Sequence, residues 1–222
     1  PVDDVNDADE LVEVMLGSDA TTYGQLCSLC DLLTSIQESA GVVKVREAIL
    51  TVQERKFGAE SKEVGLALDE LGLAYGDLGD ATKKLPVLER ALPIFEREYG
   101  SDSAVVAGAL NNLSGAYMAL GDYAKGRDVL ERALAIKERA YGRDHPNVAI
   151  TLTNLGRAYD QLQMHTSARG AMERALAIKE RSYGRDHTEV AKTLTNLGIA
   201  YGKIGDHAKK RDMLERALAI KA

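Results

Sequence analysis

The chain has 222 residues, 45% of them hydrophobic but only 5% aromatic and none of them Trp, with a formal net charge of −6. Residues 1–20 hold seven Asp and Glu and no Lys or Arg, so the rest carries a net charge of only +1. Without a basic stripe the composition argues against nucleic acid, whose phosphates are neutralised by Lys and Arg, and with no apolar run of 18 residues it contains no membrane-spanning segment.

One pattern organises the sequence. Shifted by 42, Tyr159 falls on Tyr117, Tyr75 and Tyr201; Leu155 falls on Leu113, Leu71 and Leu197; Tyr183 falls on Tyr141, Tyr99 and Phe57. Residues 131–145 and 173–187 differ only at Ala140 against Ser182. A fixed period of this length signals units that bury their apolar faces against one another. The abundance of Ala, Leu, Glu, Lys and Arg at helical spacing predicts an all-α protein.

In chain order, residues 1–20 form an acidic N-terminal segment with one short predicted helix. Asn6 serves as its N-cap, Ala8, Leu11, Val12 and Met15 as its apolar stripe, and Gly17 as its stop. Two roles fit it: a lid over the end of the array, or a regulatory segment making an intramolecular contact with the array's groove. Residues 21–58 read as a degenerate first helix pair. There Leu33 replaces the expected Tyr, Arg46 falls where later units have Leu88, Leu130 or Met172, and a slipped loop near Gly41 is expected to explain the mismatch.

Four clearer pairs follow at 62–100, 104–142, 146–184 and 188–222. In the third of these, the first helix carries Val148, Leu152, Leu155 and Tyr159 as its apolar face, and the second carries Met172, Ala175, Leu176, Ile178 and Tyr183. Gly79-Asp80, Gly121-Asp122 and Gly205-Asp206 each supply a helix stop and then an N-cap. Asp186 with Glu189 reads as a capping box for the last pair, and Pro146 sits in a first turn, where its missing N–H costs nothing. Pro86 and Pro93 fall inside a second helix and predict a bend. Gln163-Met164 replaces the Gly-Asp turn in the third pair. Pro1 in place of Met, and a last unit that stops at Ala222 before its Tyr-Gly signature, point to a piece of something longer.

With Gly156 and Ala175 at the helix crossing, Leu155 and Tyr159 beside them and Ala168 opening the second helix, the unit resembles a tetratricopeptide repeat. Its N-L-G core, E-R-A-L-A-I-K-E helix and Y-G-x-D-H-P loop are similar to kinesin light chain and nephrocystin-type repeats over about residues 22–222. Lys84 and Lys210 depart from the pattern at the Ala168 slot, so their stems are expected to snorkel. The resemblance implies a right-handed α-solenoid of antiparallel helix pairs, a tetratricopeptide superhelix, whose first helices line a concave groove.

The resemblance places peptide-clamping Asn residues at Asn112, Asn154 and Asn196, preceded by Asn111, Thr153 and Thr195; the first clear pair breaks the pattern with Asp69 and Glu70. An amide side chain donates and accepts at once, which suits a peptide backbone of any sequence. The other reading is that each Asn bonds locally within its own turn. One turn along the same face lie Leu73, Gly115, Arg157 and Ile199, with Lys192, Lys203, Asp77 and Asp160 further out. The C-terminal half of the groove is therefore expected to be basic and to suit an acidic-apolar peptide.

The remaining chemistry is sparse. Cys27 and Cys30 form C-x-x-C, but with no further Cys and no βαβ surroundings they read as core packing rather than a redox pair or half a zinc site. His145 and His187, like His165 and His207, are 42 apart, which favours loop hydrogen bonds over a metal centre. Glu131, Arg132, Lys137 and Glu138 read as a solvated convex face. The expected protein is thus a noncatalytic scaffold or adaptor for a protein or peptide partner, without cofactor or metal. No signal-peptide core is found, and the expected compartment is the cytoplasm. The alternative is a structural subunit that docks into a large assembly by its edges or convex face.

Overall fold

The computed structural model describes residues 23–221 together with Val14; the predicted helix within residues 1–20 lies outside the described residues. Ten helices are present among them: α1 (Tyr23–Ser35), α2 (Ser39–Phe57), α3 (Lys62–Leu78), α4 (Ala81–Tyr99), α5 (Ala104–Ala119), α6 (Tyr123–Tyr141), α7 (Pro146–Gln161), α8 (His165–Tyr183), α9 (Thr188–Lys203) and α10 (His207–Lys221). No strand occurs among the described residues, so the fold is all-α. The chain divides into two compact units, Pro1–Ser101 and Asp102–Ala222. Within each unit every helix packs against its neighbours in the chain.

Local chemistry sets the helix ends. Ser61 and Ser103 cap α3 and α5, each hydroxyl accepting from the backbone N–H three residues on. Asp80 and Asp122 do the same for α4 and α6. The turn before α4 needs a positive φ, which Gly79 adopts at 81°. Gln163 is forced to φ 59° at the equivalent place, and the Met164 that follows offers no side-chain cap.

Several expectations need correction. No loop slips at Gly41, which lies buried inside α2. The turn is at Gln37-Glu38, one period before Gly79-Asp80: Gln37 takes the positive φ, and Glu38 accepts from the Gly41 N–H. The mismatched Arg46 reaches out to Glu70 instead of into the core. The cap of α9 is His187, whose Nδ1 accepts from Glu189 N–H at 3.1 Å; Asp186 makes no capping box because Glu189 turns to Lys192 and Lys179. Apart from these corrections, α4 stays helical through Pro86 and Pro93. Both prolines lie on its exposed side, seven residues apart, where water can replace the missing helical hydrogen bonds.

The core of each unit is a ladder of size-matched crossings. A side chain at Gly72 would collide with Leu88, at Gly156 with Met172, and at Gly198 with Leu214. One turn further along the same helices glycines again meet bulky residues, and at one crossing the sizes reverse. The stems of Lys84 and Lys210 lie over Gly76 and Gly202, whereas Met118 lies over Gly126. A bulky residue on one helix thus meets a glycine on its partner, which keeps the two axes close.

Tyr183 is not part of the apolar stripe. It is 42% exposed and stacks on His187 at 5.0 Å, as Tyr141 stacks on His145 at 4.7 Å. Phe57, its counterpart further back, is also exposed. The set Glu131, Arg132, Lys137 and Glu138 is a solvated face only in part, with Glu131 and Arg132 exposed. Glu131 accepts from the Tyr159 hydroxyl at 2.8 Å, Glu138 pairs with Arg174, and Lys137 is buried. These groups lie between successive pairs because the second helix of one pair packs on the first helix of the next. Tyr75 with Glu47 and Tyr201 with Glu173 repeat the first of these contacts.

Candidate functional site

In the unit Asp102–Ala222 the first helices α5, α7 and α9 share one face, and α7 touches α9 directly. Two adjoining clefts open along it. One, of about 430 Å³, is lined by Gly115, Met118, Ala119, Asn154, Arg157, Asn196 and Ile199 among others. The second, of about 480 Å³, shares Asn154, Arg157 and Asn196 and adds Thr153, Lys179, Glu189, Lys192, Thr195 and Lys221. Six of the residues singled out in the sequence, Thr153, Asn154, Arg157, Lys192, Thr195 and Asn196, therefore converge on one continuous surface.

They do not all offer free chemistry. Thr153 and Thr195 donate their hydroxyls to Ala149 O and Ala191 O of their own helices, at 2.8 and 3.0 Å. Asn111 donates to Ala107 O at 3.0 Å and to the Thr151 hydroxyl at 3.2 Å. Lys192 pairs with Glu189 at 2.6 Å, and Lys203 with Asp160 at 2.7 Å. Asn112 lies one residue past Asn111 on α5 and is half-buried. Asn154 and Asn196, by contrast, are half-buried in the cleft wall and make no side-chain hydrogen bond to any described residue. Their amides are the ones left to meet a ligand.

Two cleft residues went unrecognised in the sequence because they belong to second helices. Lys179 of α8 is only 4% exposed. Its ammonium donates to the Thr193 hydroxyl at 3.0 Å and to Glu189 at 3.4 Å. Lys221 of α10 stands one period later at the same cleft. The signal that could have found them is the 42-residue recurrence of Lys137, Lys179 and Lys221. The second cleft thus gathers Arg157, Lys179, Lys192 and Lys221 against the carboxylate of Glu189, whose pKa is held below its usual value first by the Lys192 hydrogen bond, while Asp160 lines the first cleft. In the unit Pro1–Ser101 a separate cleft of about 300 Å³ contains Glu38 and Asp77 and no basic residue.

No thiol or imidazole lines these clefts. Cys30 is buried and Cys27 half-buried, both as free thiols, within the packing of Leu26, Leu29 and Leu33. Burial pushes the Cys30 thiol pKa up. Among the described residues no group of three His, Cys, Asp or Glu is placed to hold a metal ion, and no described helix is long and apolar enough to cross a membrane.

Comparison with known proteins locates this arrangement. Models of the tetratricopeptide repeat match residues 64–104, 105–181 and 161–222. No curated protein matches significantly. Among solved structures, the chain is similar to BtubC (BKLC) from P. vanneervenii, with 25% identity and a TM-score of 0.77 over 98% of this chain and 86% of that one. It is also similar to a Podosopora anserina protein described as a kinesin light chain, built of nearly identical TPR-like repeats. That match has 22% identity and a TM-score of 0.76 over 89% of this chain and 93% of that one. The apo form of RapI matches at 18% identity with a TM-score of 0.77 over 89% of this chain and 69% of that one.

Proposed function

Because the chain belongs to the tetratricopeptide repeat family, we propose that it is a noncatalytic protein-interaction module that holds an acidic-apolar segment of a protein partner along the cleft of α5, α7 and α9. The observation that carries this reading is the pair Asn154 and Asn196. Their amides stand at the same position of successive repeats, in a concave wall, with no described partner of their own. Each can bond a peptide N–H and C=O together.

Magnitudes decide what else is required. Two such amides contribute roughly 0.5–1.5 kcal/mol per net hydrogen bond, well short of the roughly 8 kcal/mol of a micromolar complex. The difference falls to the apolar patch around Met118, Ala119 and Ile199 and to the cations Arg157, Lys179, Lys192 and Lys221, which favour a ligand carrying carboxylates.

The test is selection of a displayed random dodecapeptide library on the full chain. Recovered peptides are then remeasured against a variant with Asn154→Leu and Asn196→Leu, after circular dichroism has shown that its helicity is retained. Peptides rich in Asp or Glu and Leu that lose at least tenfold in affinity on the variant support the cleft. Equal affinity for both proteins moves binding to the edges of the repeats and favours the docking-subunit reading instead.

A further inference from the structure

On α3, Leu66, Glu70, Leu73 and Asp77 follow one another at spacings of four, three and four residues, which sets them in a single line along the helix. All four are exposed. The two leucines keep 44% and 45% of their surface in water, while Leu68 and Leu71 of the same helix are buried in the core. The same four positions recur on the later first helices, as Ile150, Asn154, Arg157 and Gln161 on α7 and as Lys192, Asn196, Ile199 and Lys203 on α9. Asn154, Arg157, Asn196 and Ile199 of these wall the clefts described above, so the line is one that faces ligand space. Its charge is inverted between the two ends of the chain: two carboxylates and no cation on α3, two lysines and no carboxylate on α9.

Asp77 also lines the separate cleft of about 300 Å³, together with Glu38 and the apolar Val42 and Ala74. It makes neither a hydrogen bond nor an ion pair to a described residue. Glu38 accepts from the Gly41 N–H and has no cation among the described residues. Arg46 pairs with Glu70, and Lys84, whose stem crosses Gly76, pairs with neither cleft carboxylate. A divalent metal would need more ligands than two carboxylates, and no third group among the described residues is placed to supply one. Phosphate-bearing partners are repelled by the same charges. A long basic side chain suits both halves of the cleft, with its stem against Val42 and Ala74 and its head beside the carboxylates.

We propose that α3 is a second docking surface, for a basic-apolar segment of a protein partner. Leu66 and Leu73 lie under apolar side chains of that segment, and the cleft of Glu38 and Asp77 takes one of its Lys or Arg side chains. Apolar contact supplies affinity, and the carboxylates select against neutral and acidic segments. The surface shares no residue with the cleft of α5, α7 and α9 and takes a ligand of opposite charge, so each stands or falls without the other.

The experiment uses the full chain and two fluorescein-labelled decapeptides, LKALKKLAKL and its amide counterpart LQALQQLAQL, read by fluorescence anisotropy. The wild type is expected to bind the basic peptide at least about tenfold more tightly than the neutral one. Glu38→Gln with Asp77→Asn erases that preference, and the amide oxygen introduced at position 38 can still accept from the Gly41 N–H. Leu66→Ser with Leu73→Ser weakens the basic peptide at least about tenfold; both side chains are exposed, so circular dichroism of the variant stays that of the wild type. Asp212→Asn with Glu215→Gln removes the same formal charge from exposed positions of α10 and keeps the affinity to within about twofold. An equal loss in that control means a diffuse attraction to an acidic chain and overturns the docking surface. So does a wild type without the preference, a preference that survives the carboxylate changes, or an affinity that survives the leucine changes. Sedimentation of the chain alone covers the remaining occupant: a dimer that the leucine changes abolish assigns the face to a second copy and overturns the segment. None of these outcomes bears on the acidic-peptide cleft, which is read with Asn154→Leu and Asn196→Leu.

Discussion

Gly65 offers a test in which local preference and packing point in opposite directions. It lies inside α3, where Ala is favoured over Gly by about 1 kcal/mol, and the same position one, two and three periods later is Ala107, Ala149 and Ala191. Helix propensity and the chain's own consensus both recommend Gly65→Ala. The structure opposes it: the added methyl would lie 2.8 Å from Ile94 Cγ2, 3.3 Å from Ile94 Cβ and 3.2 Å from Phe95 Cε1. Ordinary carbon contacts begin near roughly 3.5 Å. Ile94 is β-branched and fully buried, so it has no second rotamer at low cost, and Phe95 stands where the later repeats have Lys137 and Lys179. Overpacking of this kind costs about 1–3 kcal/mol, which cancels or exceeds the propensity gain and leaves a net change between about zero and a 2 kcal/mol loss. Gly108→Ala is the matched control. It too is a helical glycine, but a methyl there meets nothing within 4 Å, so it is expected to stabilise by about 0.5–1 kcal/mol. Urea unfolding followed by circular dichroism measures both. If Gly65→Ala stabilises the protein as much as Gly108→Ala does, the tight α3–α4 crossing is not a real constraint and the size-matching argument fails.

Leu155→Ala should cost about 2–5 kcal/mol, since Leu155 is 3% exposed and packs with Leu130, Ala158 and Tyr159; a loss well under 1 kcal/mol in the same urea assay would refute the repeat register. The Tyr159 and Tyr201 hydroxyls have pKa values pushed up to about 12, by burial first and by their hydrogen bonds to Glu131 and Glu173 second. The folded state therefore keeps protons that the unfolded chain releases above pH 10, and this stabilisation is complete below pH 10 and disappears as pH rises toward 12. Unfolding midpoints taken across that window should fall less steeply for the Tyr159→Phe, Tyr201→Phe double variant than for the wild type, and parallel slopes would argue against the two hydrogen bonds.

The period of 42 was enough to determine the helix pairs, because helix starts and stops are set by residues within a few positions of one another: Ser61, Asp80 and Gly79 act on their own turns. Asn154 and Asn196 were singled out through the resemblance to tetratricopeptide repeats, which maps a clamping Asn onto those positions, and the structure places both on the wall of one cleft.

What spacing could not supply was the fate of each polar group, because that depends on a helix placed tens of residues away. Thr153 and Thr195 share the Asn face but spend their hydroxyls on their own backbones. Lys137 and Lys179 follow the pattern of a solvated second helix, and only the packing of the next first helix buries them. Tyr183 follows the pattern of a core residue and turns outward onto His187. Burial and hydrogen bonding are properties of the space between helices, and the tertiary structure alone decided which of these side chains that space encloses.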